Sequence, residues 1–217
     1  PPTSPHARPT STATHTCPAG TNSQVLDWTD TGNLAKATDT TGTTSYVYDA
    51  DGNRLLRSDP AGPPLQLPGG AEIRKPVNGP ATGTQNHAVG GTTVAVRTPA
   101  GVTWLVSDHR GTGSATVSDD GKGTVTRRRT LPFGNDRGTS PSTWAGDKGF
   151  VGGTRDNTGL THLGAREYEP ALGRFSSVDP VMDMTVPAQW NGYGYANDNS
   201  VGLSDPLSAR RPARQRR

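Results

Sequence analysis

One pattern recurs at a fixed distance along this chain of 217 residues and limits its fold more than any other feature. Trp28-Thr-Asp-Thr-Gly32-Asn33 is matched 20 residues later by Tyr48-Asp49-Ala-Asp51-Gly52-Asn53. Thr38-Asp39-Thr-Thr-Gly42 is matched at the same offset by Ser58-Asp59-Pro60-Ala-Gly62. Two independent matches at one offset define an internal repeat. Each unit reads as a β-hairpin: Asp51-Gly52 and Gly32-Asn33 supply the positive φ of a tight turn, and Ser45-Tyr46-Val47-Tyr48 alternates as a strand does. One such hairpin cannot bury its own aromatic face, so the units must stack into a longer sheet.

The rest of the chain extends this all-β reading. Thr92–Arg97, Thr103–Val106, Ser114–Val117 and Gly123–Arg127 are short β-prone runs separated by Gly, Asp-Gly and Pro, which predicts a meander of hairpins. A helical period is absent apart from one short turn expected around Pro187–Asn191. Only 29% of the residues are hydrophobic, and Gly (28) with Pro (19) is abundant, so a large self-sufficient core is not expected. Residues 1–23 read as a linker or an incomplete set of strands, partly disordered, because they are Pro/Ser/Thr/Ala-rich without periodicity.

Charge narrows the possible partners. The net charge is +3, but Arg210, Arg211, Arg214, Arg216 and Arg217 crowd the last eight residues. Without those five, 17 basic residues face 19 acidic ones, so the body carries no basic excess for phosphates and no specific nucleic-acid partner is expected. Residues 208–217 are read as a basic disordered tail. No run of apolar residues is long enough for a membrane-spanning helix. Cys17 has no second cysteine, and no histidine pair has metal-ligand spacing, so neither a metal nor a cofactor is expected.

Two longer motifs carry a resemblance. Tyr46-Val-Tyr48-Asp49-Ala-Asp51-Gly52-Asn53-Arg54-Leu55 resembles the YD-repeat signature of RHS, teneurin and insecticidal toxin-complex proteins. Gly159 through Pro180, with Arg166, Gly173-Arg174-Phe175 and Asp179-Pro180, resembles the RHS repeat-associated core, continued by Asn191–Asn199 and Ser204-Asp205-Pro206. Leu105–Gly111 and Leu131–Gly134 are also similar to the family, so the resemblance covers about residues 24–207. It implies a spiral of stacked hairpins in residues 24–150, wound into a hollow shell, with residues 151–207 as the core that plugs one end. It also implies an upstream YD-repeat shell in the same parent protein, a C-terminal toxin or effector segment held inside, and a bacterial, secreted or cell-surface location with the signal outside these residues.

The candidate chemistry comes from the same resemblance. Family members with an active core cut their own chain just past the second Asp-Pro, using two aspartates, and Asp179, Asp205 and Arg166 fall at the matching positions. Two carboxylates held close share a proton, so one can polarise the scissile carbonyl or activate water while the other acts as acid. Arg166 would orient one of them. Two departures point to inactivity: Ser208 stands where the family has Gly, and the family's Asn-Asn-Pro is altered at Asn197-Asp198-Asn199-Ser200. Twelve residues follow Asp205, too few for a folded toxin, so cargo is expected to be missing.

Other groupings are weaker. Ser107-Asp108-His109 with Ser114 lacks the nucleophile elbow of a serine hydrolase. Arg127-Arg128-Arg129 reads as a solvated strand with alternating faces. The tryptophans Trp28, Trp104, Trp144 and Trp190, with the five tyrosines, suit hairpin-face packing better than a carbohydrate platform. The expectation is therefore a structural end piece of a shell, with a working aspartic self-protease as one alternative and a cell-surface carbohydrate-contact or adhesion module as the other.

Overall fold

The computed structural model describes residues 15–17, 23–60, 64–179, 185, 187 and 190–203. Asp205, Ser208 and the arginine-rich tail lie outside these residues, as does part of the short helical turn expected near Pro187. The protein is all-β. Twelve strands form one antiparallel sheet in which each strand pairs with its neighbours in sequence. They are β1 (His15–Cys17), β2 (Gln24–Trp28), β3 (Leu34–Asp39), β4 (Gly42–Tyr48), β5 (Arg54–Ser58), β6 (Pro64–Leu67), β7 (Ala71–Arg74), β8 (Thr82–Val89), β9 (Thr92–Thr98), β10 (Gly101–Ser107), β11 (Gly113–Ser118) and β12 (Val125–Arg127). A second antiparallel sheet follows, made of β13 (Thr154–Arg155), β14 (Thr161–Leu163), β15 (Arg166–Glu169) and β16 (Arg174–Phe175). Among the described residues no helix is long and apolar enough to cross a membrane.

The repeat seen in the sequence is, in three dimensions, one turn used again and again. At 29–33, 49–53, 108–112, 131–135, 149–153 and 156–160 the first N–H donates to the carbonyl four residues on, and the fourth N–H donates back to the first carbonyl. The fourth residue is glycine each time: Gly32, Gly52, Gly111, Gly134, Gly152 and Gly159, with φ between 72° and 85°. This is a three-residue hairpin loop with a bulge, whose left-handed position suits glycine because it lacks a Cβ. The first residue often reinforces it: Asp49 Oδ1 accepts from the Asp51 and Asn53 N–H groups, and Asp108 Oδ1 from those of Arg110 and Thr112.

Strand alternation then sorts the side chains. On β2 to β4 one face buries Leu26, Leu34, Ala37 and Tyr46, with Trp28 and Tyr48 packed beside them. The opposite face leaves Val25 and Val47 exposed. The inner face is closed by the 156–160 loop, which inserts Leu160 into the cluster. Gln24 Nε2 donates to the Thr158 carbonyl at 2.5 Å, and Asn157 Nδ2 donates to Thr44 Oγ1 at 2.9 Å. A second core lies within the C-terminal part, where Phe150, Leu163, Tyr168, Phe175 and Tyr195 pack with ring centroids 5.2 to 6.0 Å apart. The Tyr168 hydroxyl donates to the Phe133 carbonyl, tying the 131–135 loop to this core.

Arg127-Arg128-Arg129 departs from the expected solvated strand at its middle residue. Arg127 and Arg129 are exposed, but Arg128 is buried with its guanidinium 4.0 Å from the Trp144 ring, donating to the Gly113 and Lys148 carbonyls. Burial, and after it the charge of Arg155, pulls its pKa down to about 10. The aromatics likewise divide: Tyr46, Tyr168 and Tyr195 are buried as expected, whereas Trp104 and Trp190 are exposed.

Candidate functional site

Two of the three residues expected to carry chemistry meet. Arg166 opens β15, and its guanidinium lies 3.6 Å over the Phe175 ring of β16. Nη2 donates to Asp179 Oδ2 at 2.8 Å, and Nη1 donates to the Gly192 carbonyl at 3.3 Å. The same carbonyl accepts from the Asp179 N–H at 2.8 Å, so the 191–194 segment holds both partners. Gly192 suits this place because a Cβ there would stand 2.8 Å from the Val178 side chain. The Arg166 side chain is 3% exposed and that of Asp179 is 22% exposed. A carboxylate fixed on a stacked guanidinium, at the margin of an aromatic core, can orient or polarise a polar group brought to its open side. Asp205, the third residue of the expected set, lies outside the described residues.

The face of β15 next to Arg166 carries a constellation that reading the sequence missed. Arg54 Nη1 and Nη2 donate to Asp156 Oδ2 and Oδ1 at 2.7 and 3.1 Å, and Arg57 Nη1 donates to Asp156 Oδ1 at 2.7 Å. Arg57 Nε also donates to Asp59 at 3.2 Å. On β15, Glu167 Oε1 lies 2.7 Å from His162 Nδ1 and 3.8 Å from Arg54 Nη1. The Asp156 side chain has no exposed surface and that of Arg54 has 1%. The repeat hairpin β4–β5 is thus fastened to the second sheet by a buried charge network whose members are about 100 residues apart in sequence.

The electrostatics follow from burial against pairing. For Glu167, burial alone would raise the carboxyl pKa, but the His162 ring, then Arg54 and Arg57, outweigh it and hold it below the ordinary value. Burial would lower Arg54, yet Asp156 and Glu167 outweigh it and raise it. Tyr46 and Tyr48 are pushed up, chiefly by burial, with the charges of Asp156 and Glu167 adding to it. Arg54 sits inside the signature quoted from the sequence; nothing in the local pattern marks Asp156 or Glu167 as its partners.

The serine-hydrolase grouping does not assemble. Asp108 Oδ1 is occupied by two turn N–H groups, and Ser114 Oγ donates to the Val106 carbonyl.

Stacked hairpins built on one glycine turn, with a small second sheet docked against them, define a class, and the comparisons agree with it. Residues 28–64 match the RHS repeat family model, so the chain carries an RHS repeat where the 20-residue periodicity was read. The fold is that of part of several toxin-complex structures. The crystal structure of TcdB2-TccC3 is similar at a TM-score of 0.71 and 22% identity, over 86% of this chain and 10% of that one. TcdB2-TccC3-Cdc42 gives a TM-score of 0.69 and 22% identity, over 85% and 10%. A Photorhabdus luminescens Tc holotoxin pore with a mutated TccC3 gives 0.68 and 21%, over 85% and 10%. The chain thus spans about a tenth of the length of the structures it matches. No curated protein matches it in sequence.

Proposed function

We propose that this chain forms terminal wall turns of an RHS shell, with residues 151–207 as the closing core, and that the shell encloses a toxin or effector segment of its parent protein. The observation that carries this reading is the buried clamp between Arg54, Arg57, Asp156 and Glu167. It fastens the second sheet onto the inner face of the repeat sheet, as a closure requires, and so joins wall to plug. Strand β1 stands at the end of the sheet order, where upstream repeats would continue the wall by pairing. A bacterial, secreted or cell-surface setting follows from this reading. The test is protease protection of a reporter fused after residue 217 in the parent protein. It should survive in the wild-type protein and be digested once Asp156→Ala opens the closure. Equal digestion of both would remove the encapsulation reading.

A second reading, single-turnover self-cleavage, is favoured by the Arg166–Asp179 pair. In this reading Asp205 supplies the second carboxyl. Intact mass of the expressed parent decides it: a cut just past Pro206 that disappears in Asp179→Asn and in Asp205→Asn supports the activity, and a full-length mass in all three proteins rejects it.

A further inference from the structure

The face of the large sheet that turns away from the second sheet is most unusual over β8–β12. Residues opposite one another across these strands fall into rows. His87, Ala95, Trp104, Val117 and Val125 form one row, and Val106, Ala115 and Arg127 form the next. On the other side of the Trp104 row, Arg97 is paired with Val102. Trp104, Val106 and Val125 are each 49% exposed, whereas the small Ala95 and Ala115 beside them are buried. Arg97 and Arg127 are exposed on the same face. Not one of the residues in β8 to β12 is an Asp or Glu; the acids nearest in sequence are Asp108 in the β10–β11 turn and Asp119 and Asp120 in the β11–β12 turn, and the Asp119 N–H donates to the Val102 carbonyl, which places Asp119 at the end of the Arg97 row.

We propose that this face binds an anionic polysaccharide whose charges are carboxylates, a polyuronate. The two guanidinium groups lie three strands and about four residues apart, so they are on the order of 20 Å from one another, with the Trp104 indole between them. A half-exposed indole offers a ring face for stacking on the C–H face of a sugar, and each arginine takes a carboxylate with two parallel hydrogen bonds. Two widely spaced cations match a chain with one carboxylate per sugar better than a densely sulfated one. A peptide fits less well: the backbone groups of β8–β11 are already used in the ladder, so a strand laid on this face would leave its own N–H and C=O groups unpaired. A sugar keeps its outward hydroxyls in water. The site is independent of the shell reading, since it lies on the opposite face of the sheet from the clamp.

The experiment is retention of the full 217-residue chain on immobilised polygalacturonate, with neutral dextran as the blank. Wild type should be retained on polygalacturonate and pass through dextran. Trp104→Ala should weaken binding at least tenfold and Trp104→Phe should restore most of it. Arg97→Gln with Arg127→Gln should lower the salt dependence by about two counterions. Trp190→Ala, an exposed tryptophan elsewhere, should bind as wild type does and serves as the control for folding and surface change. The proposal is overturned by passage of the wild type through the column. It is equally overturned if deletion of residues 209–217 abolishes retention while Trp104→Ala keeps it, since the tail would then be the binder. Competition by polyglutamate or heparin as strong as that by free polygalacturonate also overturns it, because the face would then recognise charge and not sugar.

Discussion

Asp156 accepts three hydrogen bonds from two arginines with its side chain wholly out of water, and that arrangement sets the energetics at the scale of single residues. Removing the carboxylate would leave Arg54 and Arg57 buried without their main counter-charge, a change that costs roughly 3–5 kcal/mol for a buried pair. Asp156→Ala should therefore lower the free energy of unfolding by that amount, read as a lower urea midpoint with the slope unchanged. Arg54→Met in the same background should recover part of the loss, because one unpaired cation is gone. Glu167 adds a pH dependence with a definite sign. Its carboxyl sits below the ordinary 4.5 in the folded chain, so the unfolded chain binds the proton first as pH falls. Its contribution is fully present above about 4.5 and is lost as pH drops through the lower folded value. Unfolding measured from pH 7 to pH 3 should show a steeper acid loss in wild type than in Glu167→Gln, and parallel curves would contradict the pairing. The Arg166–Asp179 contact was legible as two members of one motif. The Arg54–Asp156 contact was not, because nothing local in a sequence encodes a partner about 100 residues away, and only the docking of the second sheet brings the two together.

Among the elements, the glycine turn is the unit from which the fold is built, and the sequence showed it clearly at 29–33 and 49–53. The same turn at 131–135 and 149–153 was hidden because its flanks lack the repeat pattern: Leu131-Pro-Phe-Gly134 and Gly149-Phe-Val-Gly152 share only the final glycine with Asp49-Ala-Asp-Gly52. What those loops do differs as well. Gly52 has φ +82° with open space where a Cβ would go, whereas a Cβ on Gly134, at φ +85°, would sit 2.5 Å from Phe150 Cγ. Gly52→Ala should thus cost about 1 kcal/mol for the left-handed backbone alone. Gly134→Ala should cost distinctly more, because Phe150 must leave its stack on Tyr168 or the loop must move. Paired thermal melts measure both, and equal losses would show that the close approach to Phe150 does not matter. Burial of aromatics was predicted from motif position, which succeeded for Tyr46 and Tyr168. It failed for Trp104, since period-two alternation says that neighbours face opposite ways without saying which face a distant segment will cover.

For the molecule as a whole, the two sheets meet at one seam. Leu160 of the second sheet's loop completes the cluster of Leu26, Leu34, Ala37 and Tyr46, while Gln24, Thr44, Arg54 and Arg57 all bond to residues 155–158. The cluster under β2–β4 and the charges of Arg54, Arg57 and Asp156 are completed only where the two sheets meet, while the aromatic core is built within the C-terminal part. Opening the clamp therefore exposes both sides together, and the repeat hairpins and the second sheet should unfold as one cooperative unit. Native-state hydrogen exchange gives the measurement: the amides of β4 and β5 should exchange with the same free energy and denaturant dependence as those of β14 and β15. Asp156→Ala should lower both sets equally. If β14 and β15 open at lower cost while β4 and β5 stay protected, the second sheet is a separately removable unit, and the proposed closure could not depend on the clamp.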